Sequence, residues 1–311
     1  MKIMRLSDSG QSLVLVEDDV QCPQPGRGEL LVQIYAAGVT PTELLWYPTT
    51  HKKDGEKRNH AVPGHEFSGV IAAVGEGAVG FEIGQEVYGM SDWFADGAMA
   101  EYCIAQPGGV AAKPKRLTPI EAASVPIGAL TAWQGLFDRA HLQAGQHVLV
   151  HGGAGAVGHF AIQLARLRGA HVAATASARN LGFVSELGAE RVIDYRAVRF
   201  EEAVSGMDVV FDTVGGETLR RSWRVLKPAG RMVTIAADSE TTSDGRVKEA
   251  FFIVEANHAQ LSQISELLDA GKLHPVVDAV LPLGRAAAAY TGEVQTRLGH
   301  GKMVVAVAAD S

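Results

Sequence analysis

One segment constrains this chain more than any other: residues 147–158, which read His-Val-Leu-Val-His-Gly-Gly-Ala-Gly-Ala-Val-Gly. An apolar run of strand length leads into glycines spaced G-x-G-x-x-G at Gly153, Gly155 and Gly158. An apolar helical run follows, carrying Phe160, Ile162, Leu164 and Leu167. A strand, a glycine turn and a helix in that order open a dinucleotide-binding βαβ unit. Each glycine has a steric role there. Gly153 permits the tight turn, Gly155 lets backbone approach a pyrophosphate, and Gly158 lets helix and strand pack closely. The helix N-terminus presents N–H groups and a positive dipole end to phosphate. Gly153, Ala154, Gly155, Ala156, Val157 and Gly158 are therefore the candidate phosphate cradle.

The alternation continues downstream. Residues 171–176, 191–194, 208–212, 231–236 and 250–254 read as strands. Residues 158–168, 180–187 and 217–226 read as helices, the last closed by Pro228 and Gly230. Strands alternating with helices predict a parallel sheet covered on both faces. Upstream, Thr118-Pro119-Ile120-Glu121 combines an N-cap, a Pro at N1 and an acid at N3, and residues 131–139 read as a helix. The first hundred residues differ. Residues 13–16, 30–39, 67–74, 86–88 and 102–105 are short apolar runs punctuated by Gly and Pro, the pattern of a small barrel or sandwich. Residues 48–59 are polar and charged and predict an exposed loop. Beyond Glu255, residues 261–270 and 284–290 read as helices and 303–308 as a last strand, a tail able to return to the first domain.

At 311 residues, and about 150 per domain, the length predicts two domains. The formal charge of −7 removes the basic footprint of a nucleic-acid binder. No apolar run reaches the roughly 18 residues of a membrane span. The N-terminal Lys2, Arg5 and Asp8 interrupt any signal-like apolar region. Cys22 and Cys103 make neither a disulfide framework nor a four-ligand zinc site. These features predict a cytoplasmic protein with no nucleic-acid or membrane partner.

Several motifs occur together in a telling order: Gly64-His65-Glu66-Phe67-Ser68-Gly69, Leu130-Thr131-Ala132-Trp133, the glycine loop, and Asp212-Thr213-Val214-Gly215-Gly216. In this the chain resembles the medium-chain dehydrogenase/reductase superfamily, and within it the zinc-independent quinone oxidoreductase branch. The resemblance implies an α/β fold, with a GroES-like β-rich catalytic domain and a doubly wound Rossmann domain inserted into it. The implied boundaries are 1–124, 125–258 and a return over 259–311. It also implies NADPH-dependent reduction of quinones or α,β-unsaturated carbonyls, an active cleft between the domains, and a homodimer.

Zinc alcohol dehydrogenases of this superfamily have a Cys where this chain has Thr40, and a further ligand near Pro126-Ile127. With His65 as the remaining ligand type, a zinc site is not expected, and no metal ligand is assigned. Thr40 is then a candidate to donate to a substrate carbonyl or to contact the nicotinamide ribose. Tyr47 is a candidate proton donor, or an aromatic packed under a loop. The resemblance places Thr131 beside the nicotinamide and the backbone of Phe252, Ile253 and Val254 at its carboxamide. It also assigns Val214 and Ala236 to the cofactor, and Tyr195 and Arg297 to the neighbourhood of a 2′-phosphate. The second strand supports NADPH from the residues themselves. About 20 residues past the loop, where an NAD site carries an acid, stand Ser177 and Arg179 with no Asp or Glu. A hydroxyl and a guanidinium suit phosphate. Two alternatives stay open: an alcohol dehydrogenase with an unusual metal site on His65 and Glu66, and a non-enzymatic NADPH-binding protein.

Overall fold

The computed structural model describes residues 1–8 and 13–308. The chain divides into two compact units. One comprises Met1–Ile127, Ala256–Gly271 and Pro275–Ser311; the other comprises Gly128–Glu255 with Lys272–His274.

The first unit begins with β1 (Lys2–Asp8) and β2 (Leu13–Asp19), an antiparallel pair. It continues with β3 (Leu30–Gly38), α1 (Tyr47–Thr50), β4 (Glu66–Val74), β5 (Glu86–Met90), β6 (Tyr102–Ala105) and β7 (Val110–Ala112). β3 pairs antiparallel with β4 and with β6, β4 with β5, and β5 with β7. The alternating apolar residues of these strands form one core, with Leu30, Val32, Ile34, Phe67, Ile71 and Val87 fully or almost fully buried. That burial is why the register holds: a slip of one residue would turn the whole set to solvent. α2 (Pro119–Ala123) starts at the expected cap. The Thr118 hydroxyl accepts from the Glu121 N–H, and the Glu121 carboxylate accepts from the Thr118 N–H at 2.8 Å.

α3 (Pro126–Trp133) begins five residues before the predicted helix, and its continuation, Gln134–Arg139, widens to π pitch. The second unit then alternates through β8 (His147–Val150), α4 (Gly158–Leu167), β9 (His171–Ala176), α5 (Leu181–Glu186), β10 (Arg191–Asp194), α6 (Phe200–Ala203), β11 (Met207–Asp212), α7 (Gly216–Ser222), β12 (Leu226–Thr234) and α8 (Gly245–Ala250). The sheet is wholly parallel, in the order β10-β9-β8-β11-β12. Chain order reverses between β8 and β11, the switch point where such sheets bind ligands.

Two expectations fail in this unit. The helix expected over residues 217–226 stops at Ser222, and Pro228 and Gly230, expected to close it, lie inside β12. They are tolerated because the register slips: Leu226 pairs with Met207 but Arg231 with Val209, so the intervening residues bulge from an edge strand. The strand expected at 250–254 is reduced to one parallel bridge between Thr234 and Phe251, because α8 occupies the chain up to Ala250.

The tail contributes α9 (His258–Asp269), β13 (Val277–Pro282), α10 (Ala286–Thr291) and β14 (Lys302–Ala306). β14 pairs antiparallel with β3 and parallel with β13, extending the first unit's sheet. α9 is tied to the same unit: the Tyr88 hydroxyl donates to the Leu261 carbonyl at 2.7 Å.

Candidate functional site

In the second unit the candidate cofactor residues gather along one edge, the carboxyl ends of the parallel strands. After β8 the chain turns through Gly153–Gly158. The Gly153 N–H donates to Thr175 on β9, and the Gly155 N–H to Gly152. Shape there admits little but hydrogen. A Cβ on Gly158 would lie 2.2 Å from the Gly152 carbonyl oxygen, so any other residue would push α4 away from the turn. Gly155 is exposed, leaving bare backbone at the start of a ten-residue helix. This cradle fits a dinucleotide pyrophosphate.

β9 ends at Ala176 in register with Asp194 of β10, so Ser177 and Tyr195 leave adjacent strands side by side. Ser177 makes no side-chain cap hydrogen bond, and Tyr195 is 54% exposed. Arg179 is exposed and forms no ion pair with any described residue. After β11, Val214 is exposed, and its N–H and that of Gly215 donate to the Asp212 carboxylate, as does the Thr234 hydroxyl at 2.8 Å. Asp212 thus joins the loops after β11 and β12, including Ala236, whose N–H donates to Thr234. Burial pushes the Asp212 carboxyl above the ordinary range, and these donors act against it. Its structural role is invisible in a one-dimensional motif. His151, beneath the loop, sits buried between the Thr175 and Ser222 hydroxyls at 3.2 and 2.9 Å, and burial lowers it to about 3, so its ring is neutral. Thr131 is buried on α3; Phe252 and Val254 are buried and Ile253 exposed just after the Phe251 bridge.

The first unit holds a buried charged cluster that sequence reasoning assembled only in part. The backbone leaves β3 through Gly38, where a Cβ would lie 2.6 Å from the Glu66 carboxyl group. It then makes a short 3₁₀ turn, Pro41–Leu45, that buries Glu43. One Glu43 oxygen accepts from the Tyr290 hydroxyl at 2.5 Å. The other lies 2.8 Å from His65 Nδ1 and accepts from the Gly64 N–H. His65 Nε2 is buried without a hydrogen-bond partner and packs beside the Trp93 ring. His65 and Glu66 are adjacent in the chain but have separate partners. Glu66 instead forms an ion pair with Lys302 of β14 and accepts from the Ile127 N–H at 2.9 Å. Burial raises the Glu66 carboxyl, while Lys302 and this N–H hold it down. Lys302 Nζ also donates to Thr40 Oγ1 at 2.9 Å. Tyr290 and Lys302 carried no motif; only the pairing of β14 with β3, and the packing of α10 against β14, bring them to Glu43 and Glu66.

Two candidates remain, Tyr47 and Arg297. Tyr47 opens α1, 49% exposed, its ring stacked on His51 at 4.5 Å. Trp93 packs edge-on against Trp46 at 5.2 Å. Arg297 belongs to the first unit, bound to buried Asp278 of β13 at 2.8 and 2.6 Å. That pairing engages its guanidinium with a carboxylate.

A strand-rich unit together with a parallel sheet carrying a glycine loop at its switch point defines the class of nicotinamide-dependent oxidoreductases. Comparison with known proteins narrows it. The alcohol dehydrogenase GroES-like domain matches residues 26–115, and the zinc-binding dehydrogenase family matches residues 187–305. The chain is 34% identical over 288 residues to the 2-methylene-furan-3-one reductase of Solanum lycopersicum, covering 89% of this chain and 71% of that one. It is 33% identical to the chloroplastic NADPH-dependent alkenal/one oxidoreductase of Arabidopsis thaliana, covering 98% and 79%. The structure of the quinone oxidoreductase from Coxiella burnetii superposes with a TM-score of 0.86 at 30% identity, covering 99% of each chain. The chain belongs to the medium-chain dehydrogenase/reductase superfamily.

The metal that one family description implies does not fit the side chains present. Thr40 and Ile127 offer no thiolate, the Lys302 ammonium is paired with Glu66, and His65 Nε2 stands alone. Among the described residues no group of three or more His, Cys, Asp or Glu is placed to hold an ion. No helix among them is long and apolar enough to cross a membrane.

Proposed function

We propose that this oxidoreductase uses NADPH, without zinc, to reduce quinones or α,β-unsaturated carbonyls. The observation that carries the proposal is the edge formed by Ser177, Arg179 and Tyr195. It presents a hydroxyl, an uncommitted guanidinium and a phenol at the ends of β9 and β10, where a 2′-hydroxyl-binding site has a carboxylate. The Gly153–Gly158 loop, Val214 and Ala236 line the same edge and would hold the rest of the dinucleotide. Thr131 and the Phe252–Val254 backbone would steady the nicotinamide.

Bound there, the cofactor supplies hydride to an electron-poor carbon of the acceptor. The protein then has two tasks. It must stabilise the negative charge that appears on the acceptor oxygen, and it must let a proton reach the product. Thr40 is assigned to the polar contact with acceptor or ribose. Tyr47, half exposed with its hydroxyl bonded to no described residue, is assigned to proton supply. The relatives whose names specify an alkenal/one oxidoreductase and a quinone oxidoreductase support this acceptor class. We also propose a cytoplasmic homodimer. Both cysteines are free, as a reducing compartment allows, and the dimer rests on family likeness.

The test is a panel of quinones, alkenals and simple alcohols with NADPH and NADH. Turnover of conjugated acceptors with NADPH, unchanged by chelator, is expected. A zinc-dependent alcohol oxidation, or equal use of both cofactors, would overturn the proposal.

A further inference from the structure

We propose that Lys302 is a positioning residue that turns the Thr40 hydroxyl into a cation-polarised donor for the acceptor oxygen, so that a buried ammonium acts through a hydroxyl where related enzymes place a metal. The inference rests on the reductase proposal and deepens it by assigning the group that meets the developing oxyanion.

The argument is one of donors and acceptors. An ammonium has three donors and no acceptor. At 2.9 Å, therefore, Lys302 Nζ must be the donor and Thr40 Oγ1 the acceptor. The hydroxyl proton of Thr40 must then point away from Lys302. Thr40 precedes the 3₁₀ turn but makes no side-chain cap bond, and no described residue accepts that proton. Thr40 is itself partly exposed, whereas Lys302 is 3% exposed. The reachable end of the pair is thus a hydroxyl with its proton outward and its electron density drawn toward the ammonium behind it.

The ammonium is held for this. Its carboxylate partner, Glu66, is fully buried and is itself fixed by the Ile127 N–H. Gly38 leaves the space that the Glu66 carboxyl group fills. A buried Lys–Glu pair is a weak source of stability compared with apolar packing of the same volume. Its presence beside a reachable hydroxyl calls for a role that packing cannot supply. A polarised donor gains most from a partner whose charge grows, which favours the acceptor oxygen over the neutral ribose.

With a reduced nicotinamide bound, hydride would be supplied to the β-carbon of the acceptor, and the C=C electron pair would shift toward the carbonyl to leave an enolate. Thr40 hydrogen-bonds to that oxygen and keeps its proton. Solvent or Tyr47 then protonates the α-carbon. The acceptor would thereby gain a hydride and a proton, a two-electron reduction matched by the two-electron oxidation of the nicotinamide.

Measurements on this whole chain test the inference. Thr40→Val keeps the shape and removes the hydroxyl. It should lower kcat by about 100-fold, the usual effect of losing one preorganised oxyanion donor. NADPH affinity, read by nucleotide fluorescence without acceptor, should not change. Thr40→Ser should restore most of the rate. The double variant Lys302→Met/Glu66→Gln removes the charges as a neutral pair. It should cost about 10-fold in kcat with Thr40 present, and less than about 2-fold in the Thr40→Val background, because coupled residues are non-additive. Finally, 4-nitrophenol, an oxyanion mimic, should be held as phenolate, with its absorbance titration midpoint below that of the free dye. Thr40→Val should abolish that shift.

An equal loss from the double variant in both backgrounds would make Lys302 merely structural. Thr40→Val with weakened NADPH binding and unchanged kcat would place Thr40 at the ribose. Either outcome overturns the inference and leaves the reductase proposal standing. A wild type that turns over no conjugated acceptor overturns both.

Discussion

At the scale of single residues, the proposed preference for NADPH rests on charge and its absence. The stretch after β9 contains no acid, so nothing there repels a 2′-phosphate, and Arg179 stands exposed and without an ion pair. A charge-assisted hydrogen bond contributes about 1.5–3 kcal/mol. Arg179→Ala should therefore weaken NADPH by roughly 10- to 150-fold and leave NADH nearly unaffected, as isothermal titration with each nucleotide would show. Equal losses for both would remove Arg179 from the phosphate. His151 carries a different prediction. The folded protein holds it neutral, with a value of about 3 against an ordinary 6.5. Below pH 6.5 the unfolded chain takes up a proton that the folded chain refuses, so stability falls as the pH drops. Between pH 6.5 and 5 this one group should cost about 2 kcal/mol. Urea midpoints at pH 7 and 5 should fall less for His151→Asn than for wild type. Matching slopes would show that His151 titrates freely. The hydroxyl and guanidinium were legible because an absent acid can be counted along a chain. His151 was not, because its neutrality comes first from burial, which only the fold supplies.

At the scale of elements, close approach of backbone to backbone decides more than propensity does. Gly158→Ala illustrates the competition. Alanine gains up to about 1 kcal/mol of helix propensity. Its Cβ would also lie 2.2 Å from Gly152 O and 2.9 Å from Gly153 Cα, with only backbone available to yield. Overpacking of this kind costs about 1–3 kcal/mol, so the clash should win. The expected result is a lower melting temperature together with NADPH binding weakened by at least about 10-fold, since the displaced turn is the proposed phosphate cradle. A variant of normal affinity would mean that the loop can shift without loss. The same contest explains which elements were readable. β6, β9 and β10 fall on the residues their apolar runs mark. β12 does not, because Pro228 and Gly230, breakers in any local pattern, are absorbed by a register slip against β11. β1, β7 and β13 passed unread: two lie in short or charged runs, and β13 takes its meaning from β14 beside it.

At the scale of the whole molecule, the ion pair between Glu66 and Lys302 clasps β4 and β14, strands from opposite ends of the chain. Lys302→Met alone leaves a buried carboxylate without its cation and should destabilise by about 3–5 kcal/mol. The double variant with Glu66→Gln should recover most of that in denaturant titrations. Equal stability of single and double variants would show that the charges are not coupled. Assembly is a separate expectation. The edge pairing that residues 250–254 would have offered is limited to the Phe251 bridge, and Lys227 and Pro228 blunt the outer side of β12. A dimer must then be built by other means, and light scattering at micromolar concentration should report twice the chain mass. A monomer would end the proposal.

What the amino-acid sequence determined by itself is the parallel-sheet unit and its phosphate edge. A strand, a glycine turn and a helix N-terminus are neighbours along the chain, and steric rules acting over a dozen residues are enough to specify them. What only the tertiary structure decided is the charged cluster of the other unit. Thr40, Glu43, His65, Glu66, Tyr290 and Lys302 meet because β14 lies beside β3 and because a charge buried among apolar strands must find its partner wherever the fold supplies one.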